Sequence, residues 1–220
     1  MTEPAGTARV RAVAFAAFGV AWLTIAGLIA IVLRLQVPTP AELLADVSER
    51  PATWIAANVV LIVTPLTFAV IVPELSRRAG PGPAGQLVVA LLLVTGGALV
   101  ASGVFHGVFG AHLAARFDDD PQPVGLVEAA EVVHAIGDTW WFVGVGGLTA
   151  TTALVCAVDA RMRRRPQVVI WIGVAAVLCN LAQFGWFADH FFGVFAAPGT
   201  LLQAAWFVAI AVTLARAPAR

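Results

Sequence analysis

Residues 87–109 read LVVALLLVTGGALVASGVFHGVF and lie within a longer stretch, 79–115, that contains no charged side chain. A helix of about 20 apolar residues is long enough to cross the hydrocarbon core of a bilayer. Of the 220 residues in the chain, 60% are hydrophobic and 12% are charged, and the mean hydropathy is +0.90. Soluble domains carry about 25% charged residues. The composition excludes a soluble enzyme, a disordered chain and a disulfide-rich secreted module, and it predicts a membrane protein that crosses the bilayer several times.

Five further windows contain no charged residue, at 12–33, 51–73, 139–158, 166–188 and 200–215. Together the six windows predict an all-α, polytopic membrane protein, with 1–220 as a single transmembrane domain made of a six-helix bundle. The expected helices are at about 10–33, 52–73, 85–109, 138–158, 167–188 and 199–216, with an amphipathic outer stretch at about 123–137.

Arginine placement orients the predicted bundle. Ten of the 13 basic residues fall on one side: Arg9, Arg11, Arg77, Arg78, Arg161, Arg163, Arg164, Arg165, Arg216 and Arg220. Because cytoplasmic loops carry an excess of arginine, we expect both termini in the cytoplasm. The absence of lysine and tyrosine is typical of a GC-rich bacterial genome, so we expect a multi-pass protein of the inner (cytoplasmic) membrane. With a net charge of zero, the expected partner is the lipid bilayer and no nucleic acid.

Three local features make separate predictions. Pro65 should kink the second helix and free the carbonyl of Leu61, because proline cannot donate the helical hydrogen bond. Gly103 and Gly107 are four residues apart and should allow another backbone to approach closely. Tryptophans near the outer helix ends are typical of anchors at the membrane interface. These are Trp54, Trp140, Trp141 and Trp186.

The histidines indicate where chemistry would take place. At about 1.5 Å per residue, His106, His134 and His190 reach a similar depth near the outer ends of the third, fourth and fifth helices. They are the predicted metal ligands for zinc or iron, with Glu131 or Asp138 as a carboxylate donor. Glu131 and Asp138 share the face of His134 and are the predicted catalytic carboxylates. In this hypothesis Glu131 accepts a proton from a metal-activated water that attacks a lipid ester or amide, and Asp138 orients an imidazole.

A polar stripe accompanies the histidines. Ser102 is four residues before His106, and Asn180 and Gln183 share an arc of the fifth helix with His190. We expect the third, fourth and fifth helices to adjoin and to turn these polar side chains toward one another.

Other interpretations remain open, and whether the protein is an enzyme is among the open questions. The histidines and glutamates can belong to a wet interfacial surface, with Asn180 and Gln183 serving only as hydrogen bonds between helices. A single haem held by two histidines, such as His106 and His190, would make the protein a membrane cytochrome. A small transporter or sensor, with an acidic outer face that collects cations, is the third alternative.

The layout resembles that of a family of bacterial six-helix integral membrane proteins of unknown function. The resemblance rests on PTPAELLADVSERPATW (38–54), TWWFVGVGGLTATTALVCAVDARMRRRP (139–166) and VVIWIGVAAVLCNLAQF (168–184). It implies an integral membrane protein and no particular active-site residues. Separately, Ser102-x-x-x-His106 resembles the S-x-x-x-H element of the intramembrane zinc amidase superfamily that includes alkaline ceramidases. The H-x-x-x-H that those enzymes carry on their last helix has no counterpart here.

Overall fold

The computed structural model describes residues 5–33, 39–119, 125–163, 165–187 and 195–216, and within them the protein is helical and contains no strand. The α-helices in these ranges are α1 (Ala5–Leu33), α2 (Pro40–Glu49), α3 (Pro51–Val63), α4 (Phe68–Ala79), α5 (Pro83–Gly103), α6 (Ala111–Asp119), α7 (Leu126–Met162), α8 (Gln167–Gln183) and α9 (Ala196–Ala215). The predicted all-α class is therefore confirmed for this part of the chain. The first predicted span is α1, the second comprises α3 and α4, and the third comprises α5 and α6. The last three are α7, α8 and α9.

Five helical segments in the described ranges are long and apolar enough to cross a membrane: Gly6–Leu28, Pro51–Ala79, Pro83–Phe117, Leu126–Met162 and Ala196–Ala215. The helix Gln167–Gln183 is also apolar, but it has only 17 residues. Large apolar side chains point outward, with Leu66 76%, Leu93 66% and Trp171 67% exposed. Lipid accommodates such a surface and water does not. The chain is therefore a multi-pass membrane protein, and the sixth span and the location of the termini stay predictions.

Pro65 interrupts the second segment as predicted. Residues Thr64–Thr67 form a 3₁₀ turn between α3 and α4. The predicted close approach at Gly103 and Gly107 is also confirmed. A Cβ atom on Gly103 would lie 2.7 Å from Cγ1 of Ile62, and one on Gly107 would lie 2.6 Å from Cβ of Asn58. Because both glycines lack a side chain, α3 packs directly against the backbone of the third segment.

The stretch before α3 folds into α2, and its first turn explains why. The N–H of Glu42 donates to the hydroxyl of Thr39 at 3.3 Å, and the N–H of Thr39 donates to the carboxylate of Glu42 at 2.8 Å. This capping box, followed by Pro40 in the first helical position, satisfies donors that a helix start leaves unpaired. The backbone N–H and the hydroxyl of Thr39 both donate to the carboxylate of Glu42. These two hydrogen bonds lower the pKa of Glu42, because they stabilise its charged form.

The helix α7 is longer than the predicted fourth span. It has 37 residues without a break, so the expected amphipathic stretch and the expected span form one helix of about 55 Å. It begins after Gly125, whose φ is 82°, and ends at Arg163, whose φ is 50°. His134 lies near its first end and Asp159 near its last. We call the corresponding ends of the bundle the histidine end and the arginine end.

Two hydrophobic clusters hold the bundle together. The larger one is rich in aromatic rings: Phe18 of α1 has its ring centroid 4.3 Å from that of Phe207 and 5.4 Å from that of Phe68. The smaller cluster lies at the histidine end and joins α2 to its neighbours. Its buried members are Leu43, Leu44, Val47, Trp54, Ala114, Leu126 and Ala130. The smaller cluster therefore places α2 over the region that contains the candidate site.

Candidate metal centre

Three candidate ligands lie together at the histidine end. The Nε2 atom of His106 is 3.3 Å from Oδ1 of Asp138, and Nε2 of His134 is 3.6 Å from Oδ2 of the same carboxylate. One ligand atom from each residue can be chosen so that all lie within 4.8 Å of one another. Two atoms bonded to one tetrahedral zinc at 2.0–2.2 Å are about 3.3–3.6 Å apart. Asp138 is therefore already at ligand spacing from both imidazoles.

A change of helix type positions His106. The residues between α5 and α6, Val104–Gly110, form a π-helix, a widened turn that is rare and frequent at functional sites. The indole N–H of Trp54 donates to the backbone carbonyl of His106 at 2.8 Å. Trp54 is only 4% exposed, so its predicted role as an anchor in the lipid interface is wrong. It is buried because α2 covers the start of α3.

The backbone of α7 lies directly against the His106 ring, and Gly137 is the reason. A Cβ atom at Gly137 would lie 2.5 Å from Nε2 of His106. The neighbouring residue in the chain is Asp138, so the close approach brings the imidazole to the helix turn that carries the other two candidate ligands.

Ser102 holds the other side of the same ring. Its buried hydroxyl oxygen is 3.3 Å from Nδ1 of His106. In the tautomer that carries its proton on Nδ1, that nitrogen donates to Ser102, and Nε2 presents a lone pair toward Asp138. Among the described residues, this buried Nε2 makes no well-aligned hydrogen bond. A ring nitrogen held by a neighbour, with the opposite nitrogen unsatisfied, is the arrangement of a metal-ligating histidine.

The remaining predicted site residues lie elsewhere. His190 lies outside the described residues, as does the side chain of Trp186. Glu131 is exposed on α7, three residues before His134, and no interaction described in the structure joins it to the cluster. The carboxylate of Asp138 is 42% exposed, so the cluster can be reached from outside the bundle.

Asn180 and Gln183 are buried, but Asn180 serves a different part of the bundle. Its Nδ2 atom donates to Oε1 of Gln203 on α9 at 3.3 Å, and Nε2 of Gln203 donates to the hydroxyl of Thr152 on α7 at 3.0 Å. This chain of hydrogen bonds joins α7, α8 and α9. Sequence reasoning missed Gln203, because a lone glutamine in an apolar helix forms no pattern with its neighbours. Gly137 was missed because a single glycine in an apolar helix does not indicate which side chain packs against it.

An apolar pocket opens beside the two imidazoles. His106 and His134 line it together with branched side chains from α2 and the following elements, including Leu43, Leu44, Val47 and Leu113. Its volume of about 20 Å³ is enough for one water molecule, which would contact apolar walls and both histidines.

Two imidazoles and a carboxylate form a donor set that suits zinc and non-haem iron. Three protein ligands leave a coordination position open for water or substrate. The layout-level resemblance to six-helix bacterial membrane proteins stays a prediction. No family model, curated protein or solved structure shows a significant match to this chain.

Proposed function

We propose that this multi-pass membrane protein binds Zn²⁺ at its histidine end through Nε2 of His106, Nε2 of His134 and the carboxylate of Asp138. The observation that carries the proposal is the position of Asp138, whose two oxygens lie 3.3 and 3.6 Å from the two ring nitrogens. Asp138 is then a ligand, one of the roles that the sequence suggested for it beside a catalytic or orienting one. The site does not depend on His190.

Zinc is proposed because three protein ligands and one open position make up a tetrahedral site of the catalytic type. The same two imidazoles and one carboxylate also suit non-haem iron, so metal analysis decides between the two ions. A haem between His106 and His134 is disfavoured, because their ring centroids are 4.8 Å apart and a porphyrin needs a gap between its two imidazoles. The haem pair His106 and His190 stays a prediction, because His190 lies outside the described residues.

The proposed ligand set supports hydrolysis as the activity of this site. Zinc with an open coordination position lowers the pKa of water and polarises carbonyl groups. The apolar cavity beside the imidazoles has a volume of about 20 Å³, enough for one water molecule, so a lipid-like substrate would reach the site from the exposed side of Asp138. Glu131 is one turn from His134 and is the proposed proton acceptor. In the proposed orientation this site opens at the outer surface of the cytoplasmic membrane.

Metal analysis of the protein purified in detergent tests the proposal. We expect about one zinc per chain in the wild type and little in H106A, H134A and D138N. The matched control is H112A, which removes an exposed histidine of α6 at the same end of the bundle and should retain zinc. Size-exclusion chromatography checks that each variant is folded. A wild type that takes up no zinc on titration, or a Soret band that indicates haem, would contradict the proposal.

An activity assay then tests the hydrolase interpretation separately. We expect the zinc-loaded wild type to hydrolyse ester- or amide-linked lipid in mixed micelles, and E131Q to bind zinc normally while losing turnover. Zinc binding without turnover on either lipid class would leave the metal site standing and reject the hydrolase.

A further inference from the structure

Arginines surround a buried carboxylate at the opposite end of the bundle. The Glu74 side chain is 0% exposed. Its Oε2 atom lies 3.0 Å from Nη1 of Arg11 and 2.9 Å from Nη2 of Arg77, and its Oε1 atom pairs with Nε of Arg78. Residues of α1 and α4 therefore meet at this carboxylate.

A second buried pair lies at the same end. In the turn between α7 and α8, Nε of Arg165 is 2.9 Å from Oδ2 of Asp159, and the two side chains are 2% and 3% exposed. The pKa of Arg165 is lowered to about 10. Burial is the largest cause, the positive charge of Arg78 acts in the same direction, and the charge of Asp159 opposes both effects. Arg165 remains charged at neutral pH, with a second cation close enough to act on it.

The terminal nitrogens of Arg165 are unsatisfied. Within the described residues, neither Nη1 nor Nη2 has a hydrogen-bond partner, although both are buried. These two nitrogens carry four N–H donors, and a buried donor without a partner is costly enough to require an explanation. Among the described residues, Arg11, Arg77, Arg78 and Arg165 lie near two carboxylates, Glu74 and Asp159, so positive charge exceeds negative charge there.

We infer that Arg165, with Arg78 beside it, binds a phosphate group at the arginine end. The guanidinium fork matches phosphate oxygens in geometry and charge, and one phosphate would satisfy both terminal nitrogens. The group is carried either by the headgroup of an anionic phospholipid or by free phosphate. The position favours the headgroup, because basic pockets between helix ends at a membrane surface bind anionic lipids. The inference is independent of the metal site, since Asp159 is about 37 Å along α7 from His134.

Binding measurements on the delipidated wild type test this without any substitution. Three probes are added to the protein in neutral detergent: phosphatidylglycerol, diacylglycerol with the same acyl chains, and inorganic phosphate. We expect phosphatidylglycerol to raise the unfolding temperature and to remain bound in native mass spectrometry, and diacylglycerol to do neither. Protection by inorganic phosphate alone would identify free phosphate as the ligand. No protection by either phosphate-bearing probe would overturn the inference.

Variants assign the binding to Arg165. R165Q removes the guanidinium group. The double variant D159N/R165Q removes it without leaving the buried charge of Asp159 unpaired. Since hydrogen bonds to charged groups are worth about 1.5–3 kcal/mol, affinity for the bound probe should fall at least about tenfold in both. The control R161Q removes an exposed arginine from the last turn of α7 and should change affinity less than about twofold. Equal losses in R161Q and D159N/R165Q would show general charge attraction and would overturn the inference.

Discussion

A Cβ atom on Gly137 would lie 2.5 Å from Nε2 of His106, closer than real side chains approach one another. The imidazole therefore occupies the space that any other residue at 137 would fill. Because Asp138 follows directly in the chain, this contact places Nε2 of His106 beside the carboxylate. One glycine thus determines whether the π-helix and α7 can form a common site.

The substitution G137A should weaken zinc binding. The added methyl group forces the His106 ring away from Asp138, while all three proposed ligands remain in the sequence. We expect zinc affinity to fall by about 10–100-fold, the range seen when groups that orient ligands are altered, as measured by competition with a chelator of known affinity. The matched control is G97A on α5, where a Cβ would meet nothing within 4 Å. Equal affinity in G137A and the wild type would contradict the placement of His106.

The substitution Q203L should destabilise the bundle without affecting zinc. It leaves the amide of Asn180 and the hydroxyl of Thr152 without their interhelical partner, at a cost of about 1 kcal/mol in the free energy of unfolding. Reversible unfolding in mixed micelles measures the change. The control T213A removes a hydroxyl of α9 that donates only to its own helix, at Ile210, and should change stability by less than half as much.

The sequence predicts the helices well, and the reason is physical. In lipid every backbone group must be satisfied within its own helix, so windows without charge fix where the helices lie. Pro65 also acts locally, because it lacks the N–H that a helix needs. Gly103 and Gly107 act locally because they have no side chain to keep another helix away. Their consequences follow from the residue type alone.

The arrangement within the site could be predicted only in part. Equal depth along the helices identifies His106 and His134 as neighbours, because rise per residue is constant. The position of Asp138 between them depends on how the π-helix packs on α7, and a local pattern does not encode that contact. The burial of Trp54 likewise depends on α2 folding over it. The hydrogen bond between Asn180 and Gln203 can be identified only once α9 is known to lie beside α8.

The substitution E74Q should be strongly destabilising. It removes the charge that Arg11 and Arg78 share in a buried position, and breaking a buried ion pair by removing one partner costs about 3–5 kcal/mol. Unfolding in mixed micelles should show a loss of this size. Its control, E128Q, removes a carboxylate that is exposed at the start of α7 and should be nearly neutral. A loss below about 1 kcal/mol in E74Q would mean that the pairs at Glu74 are fully hydrated.

The topology prediction depends on whether α8 crosses the membrane. The helix has 17 residues and continues into the 3₁₀ turn Phe184–Phe187, so the two together extend about 33 Å. This is enough for a hydrocarbon core of about 30 Å.

We therefore expect reporter fusions after Arg165 to lie in the cytoplasm, and fusions after Arg116 and Phe195 to lie outside. Alkaline phosphatase, active only outside the cytoplasm, and green fluorescent protein, fluorescent only inside, give complementary signals. If fusions after Arg165 and Phe195 reported the same side, α8 would not span and the bundle would have five crossings. If all three signals were exchanged, the arginine end would face outward and the proposed metal site would open into the cytoplasm.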